Sequence, residues 1–172
     1  ISGRLPLSSL QVERLNFIKP CSRFETSGYH VCNGYLAINQ GGLFGVGLGN
    51  STQKYSYLPE AHTDFIFAIV LEELGLIISL GIVVLFSILL YRIIVIARLS
   101  SNLMESIITY GVFLYIFLHI IINLGGILGL LPLTGVPLPF FSYGGSYALN
   151  LFIALGLVQR IKIENYNQKK LR

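Results

Sequence analysis

A long apolar stretch, from about Thr63 to Ile96, places the strongest constraint on how this chain can fold. As a helix it measures roughly 50 Å, whereas the hydrocarbon core of a bilayer is about 30 Å thick. The chain is 53% hydrophobic and 12% charged, which is too apolar for an ordinary soluble domain. The sequence therefore predicts an integral membrane protein of the all-α class, with one end of this helix standing outside the hydrocarbon.

The remaining segments extend this prediction to a polytopic bundle of transmembrane helices. Before the long helix, no run of residues can span a bilayer, so that region is predicted to be one large loop. Two more helices follow, and the apolar but Pro- and Gly-rich stretch between them cannot be a regular helix. The predicted segments are a loop over 1–62, helices over 63–97, 107–129 and 147–159, a connection over 98–106, a Pro/Gly-rich segment over 130–146 and a tail over 160–172.

The distribution of Lys and Arg predicts which side of the membrane each segment faces. Arg92 and Arg98 flank the first connection and the tail is basic, whereas the Pro/Gly-rich segment contains no Lys or Arg. Because short cytoplasmic loops are enriched in these residues, the connection and the tail are predicted to be cytoplasmic. The large loop and the Pro/Gly-rich segment are then extracytoplasmic. This topology also explains the net charge of +4 without a nucleic acid partner.

The chain has two cysteines, Cys21 and Cys32, and both lie in the large loop. They can form a disulfide if the loop faces an oxidising compartment, and their spacing fits no zinc motif. A disulfide and two free thiols are both compatible with the sequence.

A carboxylate, Asp64, lies where the polar loop meets the long apolar helix. Counting about 20 residues back from Arg92 places Glu72 and Glu73 near the edge of the hydrocarbon. Asp64 then lies about 12 Å further out, level with the lipid headgroups. An ionisable group at the start of a membrane helix is expected to be functional. The alternative is that Thr63 and Asp64 only cap the helix.

Other polar side chains near Asp64 are candidates for the same site. Lys54 is suited to attract a phosphate, although a solvated loop lysine is the more common case. Glu60 and His62 would face the same side as Asp64 if the segment were extended, and such oxygen donors suit a divalent cation. On a straight helix Glu73 points about 180° away from Asp64, which argues against a catalytic pair of carboxylates within one helix.

Two polar residues of the second membrane helix, His119 and Asn123, lie one turn apart on one face. Polar side chains in such helices usually bond to a neighbouring helix. We therefore expect a structural contact here rather than contact with a ligand.

A glycine-rich run before the long helix alternates glycine with apolar residues from Gly41 to Gly49. Such a run suits a backbone that turns tightly or approaches a ligand closely. It is not a phosphate-binding loop of the P-loop type, because no Gly-Lys-Ser/Thr ends it and no buried strand precedes it.

Three motifs together resemble those of a known family. The runs Gly41–Ser51, Leu58–Gly75 and Leu130–Ser146 are similar, in this order and spacing, to the SEDS family of bacterial cell-wall polymerases, FtsW, RodA and SpoVE. The resemblance implies an all-helical, polytopic fold. This chain would be its C-terminal part, comprising the large outer loop and the last three helices.

The resemblance also implies an activity. Members of that family polymerise lipid II, an undecaprenyl-pyrophosphate-linked disaccharide peptide, on the outer face of the bacterial cytoplasmic membrane. Asp64 would be the general base of an inverting transfer, with a divalent cation, Mg²⁺ or Mn²⁺, bound at the same residue. A class B penicillin-binding protein would be the partner, with other membrane proteins of division or elongation. The implied substrate-binding residues are Lys54, Glu60, His62, Glu73, Pro137, Ser142 and Gly144.

Several functional alternatives follow from the same residues. The sequence around Asp64 resembles the division type, FtsW, more than the elongation type, RodA. A transporter that flips lipid II and a non-enzymatic scaffold for the penicillin-binding protein are alternatives to a polymerase. This part of the protein is not expected to be active alone, because the cavity would be open on one side.

Overall fold

The structure, a computed structural model, describes residues 29–51, 65–132 and 134–170. These residues form helices and connecting loops, and none of them belongs to a β-strand. The helices are α1 (Tyr29–Gly41), α2 (Ile66–Leu99), α3 (Leu103–Ile127) and α4 (Gly145–Lys170). The predicted all-α class is therefore confirmed.

Two of the helices, α2 and α3, are long and apolar enough to cross a membrane. Most of their apolar side chains are not buried inside the structure: Leu85 of α2 is 65% exposed and Leu114 of α3 is 54% exposed. A soluble protein rarely leaves so large an apolar surface in contact with water. Lipid is the solvent that suits these faces, so the fold is a polytopic membrane bundle.

The centre of the bundle is α2, which packs most extensively against α1 and α3. The core between the helices includes Phe86 of α2, Ile116 of α3 and Leu151 of α4, all of them buried. The ring of Phe86 also contacts Phe140 and Phe141, with centroid distances of 6.4 and 6.1 Å. The Pro/Gly-rich segment is thereby packed onto the same core.

The Pro/Gly-rich segment folds back into the bundle. His119 lies about 12 Å from the C-terminal end of α3, counting along the helix to Ile127. Its Nδ1–H donates to the Pro137 carbonyl oxygen over 3.2 Å. Asn123 Nδ2 donates to the Val136 carbonyl oxygen over 2.8 Å. Non-helical backbone at membrane depth persists only where protein or a wet cavity satisfies it, and these two side chains satisfy it here.

The helix bounds differ from the predicted ones at several points. α1 lies inside the segment predicted as a loop. α3 begins at Leu103, earlier than predicted, because Asn102 caps it by accepting from the Met104 N–H over 3.1 Å. α4 continues to Lys170, beyond the predicted end at 159. α4 starts beside the middle of α3, where the ring of Tyr147 contacts that of His119 with a centroid distance of 4.8 Å.

A buried amide, Asn165 of α4, joins α4 to the turn between α2 and α3. Its Oδ1 accepts from the backbone N–H and the hydroxyl of Ser101, over 3.0 and 2.9 Å. Its Nδ2 donates to Ser100 Oγ over 3.2 Å and to the Ile161 carbonyl over 3.0 Å. One side chain thus satisfies polar groups of both the α2–α3 turn and α4 at the basic end of the bundle.

Replacing Asn165 with Ala should lower the stability of the full-length protein by about 2 kcal/mol, because buried donors and acceptors lose their partner. The measurement is the midpoint of thermal unfolding in detergent. Asn167→Ala is the matched control, since Asn167 is exposed on the same helix. Equal midpoints for the two variants would contradict a structural role for Asn165.

Candidate functional site

A break in α2 at Gly75 is the main local irregularity of the described helices. Gly75 has φ 78° and ψ 176°, a conformation that interrupts the helix and that residues with a side chain rarely adopt. A break frees backbone carbonyls on one side and N–H groups on the other, and in a membrane protein these groups must find partners.

The partners are supplied by residues 42–51, which we call the glycine loop. The loop follows α1 and lies against the break, where backbone groups of both segments pair in both directions. Carbonyls before the break accept from the loop, and N–H groups after the break donate to it: Val46 N to Glu72 O at 2.9 Å, Gly47 N to Glu73 O at 3.0 Å, Leu76 N to Gly42 O at 3.1 Å and Ile77 N to Leu43 O at 3.3 Å. The break and the loop therefore form one joint.

The two backbones approach so closely that glycine is required. A Cβ placed on Gly75 would overlap backbone atoms of Leu43 and Gly45. A Cβ placed on Gly45 would overlap the backbone of Glu73. The glycine-rich run was predicted to turn tightly or to approach a ligand, and in the structure it approaches the backbone of α2.

The joint buries two carboxyl side chains, Glu72 and Glu73, which are 0% and 9% exposed. Ser51, at the end of the glycine loop, donates its hydroxyl to Glu72 Oε2 over 2.5 Å and is itself only 2% exposed. A hydrogen bond to a carboxyl group between buried partners is among the stronger ones. It attaches the end of the glycine loop to α2. Glu73, which was predicted to bind substrate, is buried where the glycine loop meets α2.

Replacing Ser51 with Ala should destabilise the full-length protein by about 1.5–3 kcal/mol, because the hydrogen bond to Glu72 is lost within a buried site. The change is measured as a lower midpoint of thermal unfolding in detergent. Ser146→Ala serves as the control, since Ser146 is exposed at the start of α4. If both variants unfold at the wild-type temperature, the Ser51 hydroxyl does not anchor the loop.

The segment predicted to carry the chemistry lies between two anchored residues. Ser51 precedes it, and Phe65 follows it as the N-cap residue of α2, without a side-chain capping bond. Phe65 is buried against Gly34 of α1. Thr63 and Asp64, the predicted capping residues, lie outside the described residues, so the capping alternative stays open. The predicted site residues Lys54, Glu60, His62 and Asp64 lie outside the described residues.

The predicted site residues of the Pro/Gly-rich segment shape its turn. Ser142 Oγ accepts from the Leu138 N–H over 2.7 Å, and the Ser142 N–H donates to the Leu138 carbonyl over 3.1 Å. The Gly144 carbonyl accepts from the Ala148 N–H over 2.9 Å and so begins α4. Pro137 presents its carbonyl to His119. The structure thus brings Pro137, Ser142 and Gly144 into one folded segment.

Sequence reasoning missed the role of His119. It was expected to bond to a neighbouring helix, but it bonds to the Pro/Gly-rich segment. Its ring also contacts those of Tyr115 and Tyr147, with centroid distances of 4.7 and 4.8 Å. The prolines of that segment could have indicated this contact. They prevent regular backbone hydrogen bonding, so the carbonyls of the segment need donors from side chains.

A divalent cation was predicted at Asp64. Among the described residues, no three His, Cys, Asp or Glu side chains lie together in a way that could hold a metal ion. The predicted donors Glu60, His62 and Asp64 lie outside these residues, so the cation stays a prediction.

The structure describes one of the two cysteines, for which the sequence left a disulfide and a free thiol open. Cys32 of α1 is disulfide-bonded. The other cysteine of the chain, Cys21, lies outside the described residues. Disulfides persist in oxidising compartments and are rare in the cytosol.

These features together define a class of protein. A membrane bundle with a broken helix, a glycine loop paired to the break and a re-entrant Pro/Gly-rich segment is an α-helical polytopic membrane protein. Comparison with known proteins then gives the family, because the FtsW/RodA/SpoVE family model, described as "Cell cycle protein", matches residues 5–167. The chain belongs to this family.

Individual relatives agree with the family. The chain is 47% identical over 165 residues to the "Probable peptidoglycan glycosyltransferase FtsW" of Coxiella burnetii, covering 94% of this chain and 44% of the relative. It is 46% identical over 135 residues to "Stage V sporulation protein E" of Bacillus subtilis, covering 78% of this chain and 37% of the relative. The chain therefore spans less than half the length of these relatives.

A solved structure, described as "Structural coordination of polymerization and crosslinking by a peptidoglycan synthase complex", has the same fold. The chain matches it with a TM-score of 0.71 and 28% identity. The match covers 93% of this chain and 44% of the other. The polytopic bundle inferred from the apolar faces of α2 and α3 agrees with this similarity.

Proposed function

We propose that the full-length protein containing this segment is a peptidoglycan glycosyltransferase that polymerises lipid II into glycan strands. The observation that carries the proposal is the similarity, over nearly the whole chain, to proteins named as probable peptidoglycan glycosyltransferases. Each of these matches also spans less than half of the relative, so the activity belongs to the longer protein. The segment alone is expected to be inactive.

Asp64 is the general base of this reaction. Its carboxylate removes the proton from the 4-hydroxyl of the acceptor sugar as that oxygen attacks the anomeric carbon of the donor. The bond from this carbon to the pyrophosphate oxygen breaks, undecaprenyl pyrophosphate leaves, and the configuration inverts. The anchoring of Ser51 and Phe65 supports this role, because it fixes on α2 both ends of the chain segment that contains Asp64.

The remaining predicted residues would bind the lipid-linked substrate around Asp64. Lys54 would attract the pyrophosphate, and Glu60 and His62 would take part in binding the substrate. A divalent cation, Mg²⁺ or Mn²⁺, fits the oxygen donors of Asp64 and Glu60, and when bound it would neutralise charge on the leaving pyrophosphate. Chelation with EDTA should therefore stop strand synthesis, and added Mg²⁺ or Mn²⁺ should restore it.

The site faces the outside of the bacterial cytoplasmic membrane. The basic residues near the α2–α3 connection and in the tail support a cytoplasmic location for that end of the bundle. The disulfide at Cys32 supports an oxidising compartment for α1 at the opposite end. The two observations are independent and give the same orientation.

A class B penicillin-binding protein would be the partner that crosslinks the strands. Other membrane proteins of the division or elongation machinery would be further partners. The similarity to a chain from a peptidoglycan synthase complex supports a crosslinking partner. The cellular role proposed is division, as in FtsW, with a RodA-like role in elongation as the alternative. Depletion separates the two, because filaments indicate division and round cells indicate elongation.

Complementation separates an enzyme from a scaffold. Cells depleted of the full-length protein should be rescued by the wild type and not by Asp64→Ala, provided that both accumulate to equal levels in the membrane. Rescue by Asp64→Ala would identify a scaffold that only recruits the penicillin-binding protein.

A further inference from the structure

A cavity remote from the glycine loop lies between the C-terminal parts of α2 and α4. Its volume is about 640 Å³, which is within the usual range for small-molecule sites. On α2 it is lined by Arg92, Val95 and Leu99, which lie on one face because their spacing is three to four residues. On α4 it is lined by Lys162 and Tyr166, which lie one turn apart.

The walls of this cavity combine positive charge with apolar surface. Arg92 and Lys162 contribute two cations, and no residue that lines the described cavity is an Asp or Glu. The nearest carboxylate on α4, Glu164, is turned to another face and pairs with Arg160 at 3.9 Å. Val95 and Leu99 present hydrocarbon to the same space. The expected occupant therefore has a negative charge and an apolar chain.

The position of the cavity fits the boundary between hydrocarbon and water. Arg92 is the first charged residue after the apolar stretch of α2, and Leu99 lies about 10 Å further along the helix. Tyr166 is 69% exposed at the mouth, and Tyr side chains are enriched at membrane interfaces. The cavity is thus level with the phosphate groups of the leaflet that this end of the bundle faces.

The floor of the cavity is held in place. Asn165 lines it and joins α4 to both serines of the α2–α3 turn through its side-chain hydrogen bonds. The separation between α2 and α4 at this end is therefore fixed by polar contacts, so the cavity does not depend on an occupant to hold it open.

We propose that this cavity binds an anionic glycerophospholipid of the cytoplasmic leaflet. Arg92 and Lys162 bind the phosphate group, and the acyl chain lies along Val95 and Leu99. Basic pockets between transmembrane helices on the cytoplasmic side are suited to such headgroups. A free phosphate would use the cations but not the apolar wall. The site is distinct from the proposed polymerase site and does not depend on that activity.

The test measures lipid retention by native mass spectrometry of the full-length protein in neutral detergent. Phosphatidylglycerol and phosphatidylcholine with identical acyl chains are compared. The wild type should retain phosphatidylglycerol preferentially, and the double variant R92Q/K162Q should bind it about twenty-five-fold more weakly, since each cation near the headgroup contributes about a factor of five. Arg92 and Lys162 are exposed, so the double variant should fold.

The control is R98Q/R160Q, which removes the same charge from exposed positions at the same end of the bundle but outside the cavity. It should retain phosphatidylglycerol as the wild type does. L99W keeps both cations but fills the apolar wall, and it should also weaken binding. Any one of four results would overturn the proposal. These are an equal loss of phosphatidylglycerol binding in the control, unchanged binding by L99W, displacement of the lipid by excess inorganic phosphate, and no preference of the wild type for phosphatidylglycerol. Polymerase activity is measured separately, so failure of one proposal is distinguishable from failure of the other.

Discussion

Replacing Asp64 with Asn in the full-length protein should reduce the rate of lipid II polymerisation by a factor of about 10²–10⁴. Asn has nearly the same size and keeps its hydrogen-bonding capacity, but its amide cannot accept the proton of the acceptor hydroxyl. The loss should appear in the rate of strand formation at saturating lipid II. The unfolding temperature of the variant is measured beside the rate, so that a loss of catalysis is separated from a loss of folded protein.

The matched control for Asp64→Asn is Glu164→Gln, which converts a carboxylate to an amide on an exposed face of α4. It should polymerise lipid II at the wild-type rate. If Asp64→Asn also polymerises at the wild-type rate, Asp64 is not the general base, whatever the activity of the protein.

Replacing Gly75 with Ala should lower the stability of the protein by about 3 kcal/mol or more. The φ of 78° is strained for Ala, which costs about 1–3 kcal/mol. The added Cβ would also overlap the backbone of Leu43 and Gly45, and overpacking of this kind costs a further 1–3 kcal/mol or so. The glycine loop must then separate from α2, which breaks the backbone hydrogen bonds of the joint. A large fall in the thermal unfolding midpoint, or in the yield of monodisperse protein, is expected.

Gly81→Ala is the control, because Gly81 lies in the regular part of α2 and a Cβ there meets nothing within 4 Å. Ala is the better helix former, so this variant should be as stable as the wild type or slightly more stable. Equal behaviour of the two variants would mean that α2 is continuous at Gly75 and that the joint does not exist.

The membrane class and the main spans could be predicted from the sequence because they depend on composition and periodicity. The apolar run that ends at Arg92 has one physical interpretation, a helix in lipid. The non-helical nature of the Pro/Gly-rich segment was equally predictable, because proline cannot continue a helix. Its depth was not, because it depends on two side chains of α3, His119 and Asn123, that lie 18 and 13 residues before the carbonyls they bond to.

The break at Gly75 could not be predicted from periodicity. A glycine inside an apolar helix usually means only a small loss of helix stability. It becomes a break here because a second backbone, that of the glycine loop, satisfies the freed groups. This pairing joins segments far apart in sequence, and no local pattern encodes it. The burial of Glu72 against Ser51 follows from the same pairing and was missed for the same reason.

The start of α3 was missed by several residues for a local reason. The helix was predicted to begin at 107, two residues after Glu105. Asn102 in fact caps it, and Glu105 lies in the first turn, where a negative charge is favourable to the helix dipole. The candidate chemistry around Asp64 came from the resemblance and from depth, and it stays a prediction.

The reaction proposed for the full-length protein is tested most directly by incubating it with purified lipid II in detergent and measuring the glycan strands formed. A polymerase needs no membrane gradient and no sealed compartment, so strands should accumulate, and the Asp64→Asn protein should form almost none. If the wild type makes no strands in detergent but moves lipid II across sealed vesicles, the protein is a transporter and the proposed function is wrong.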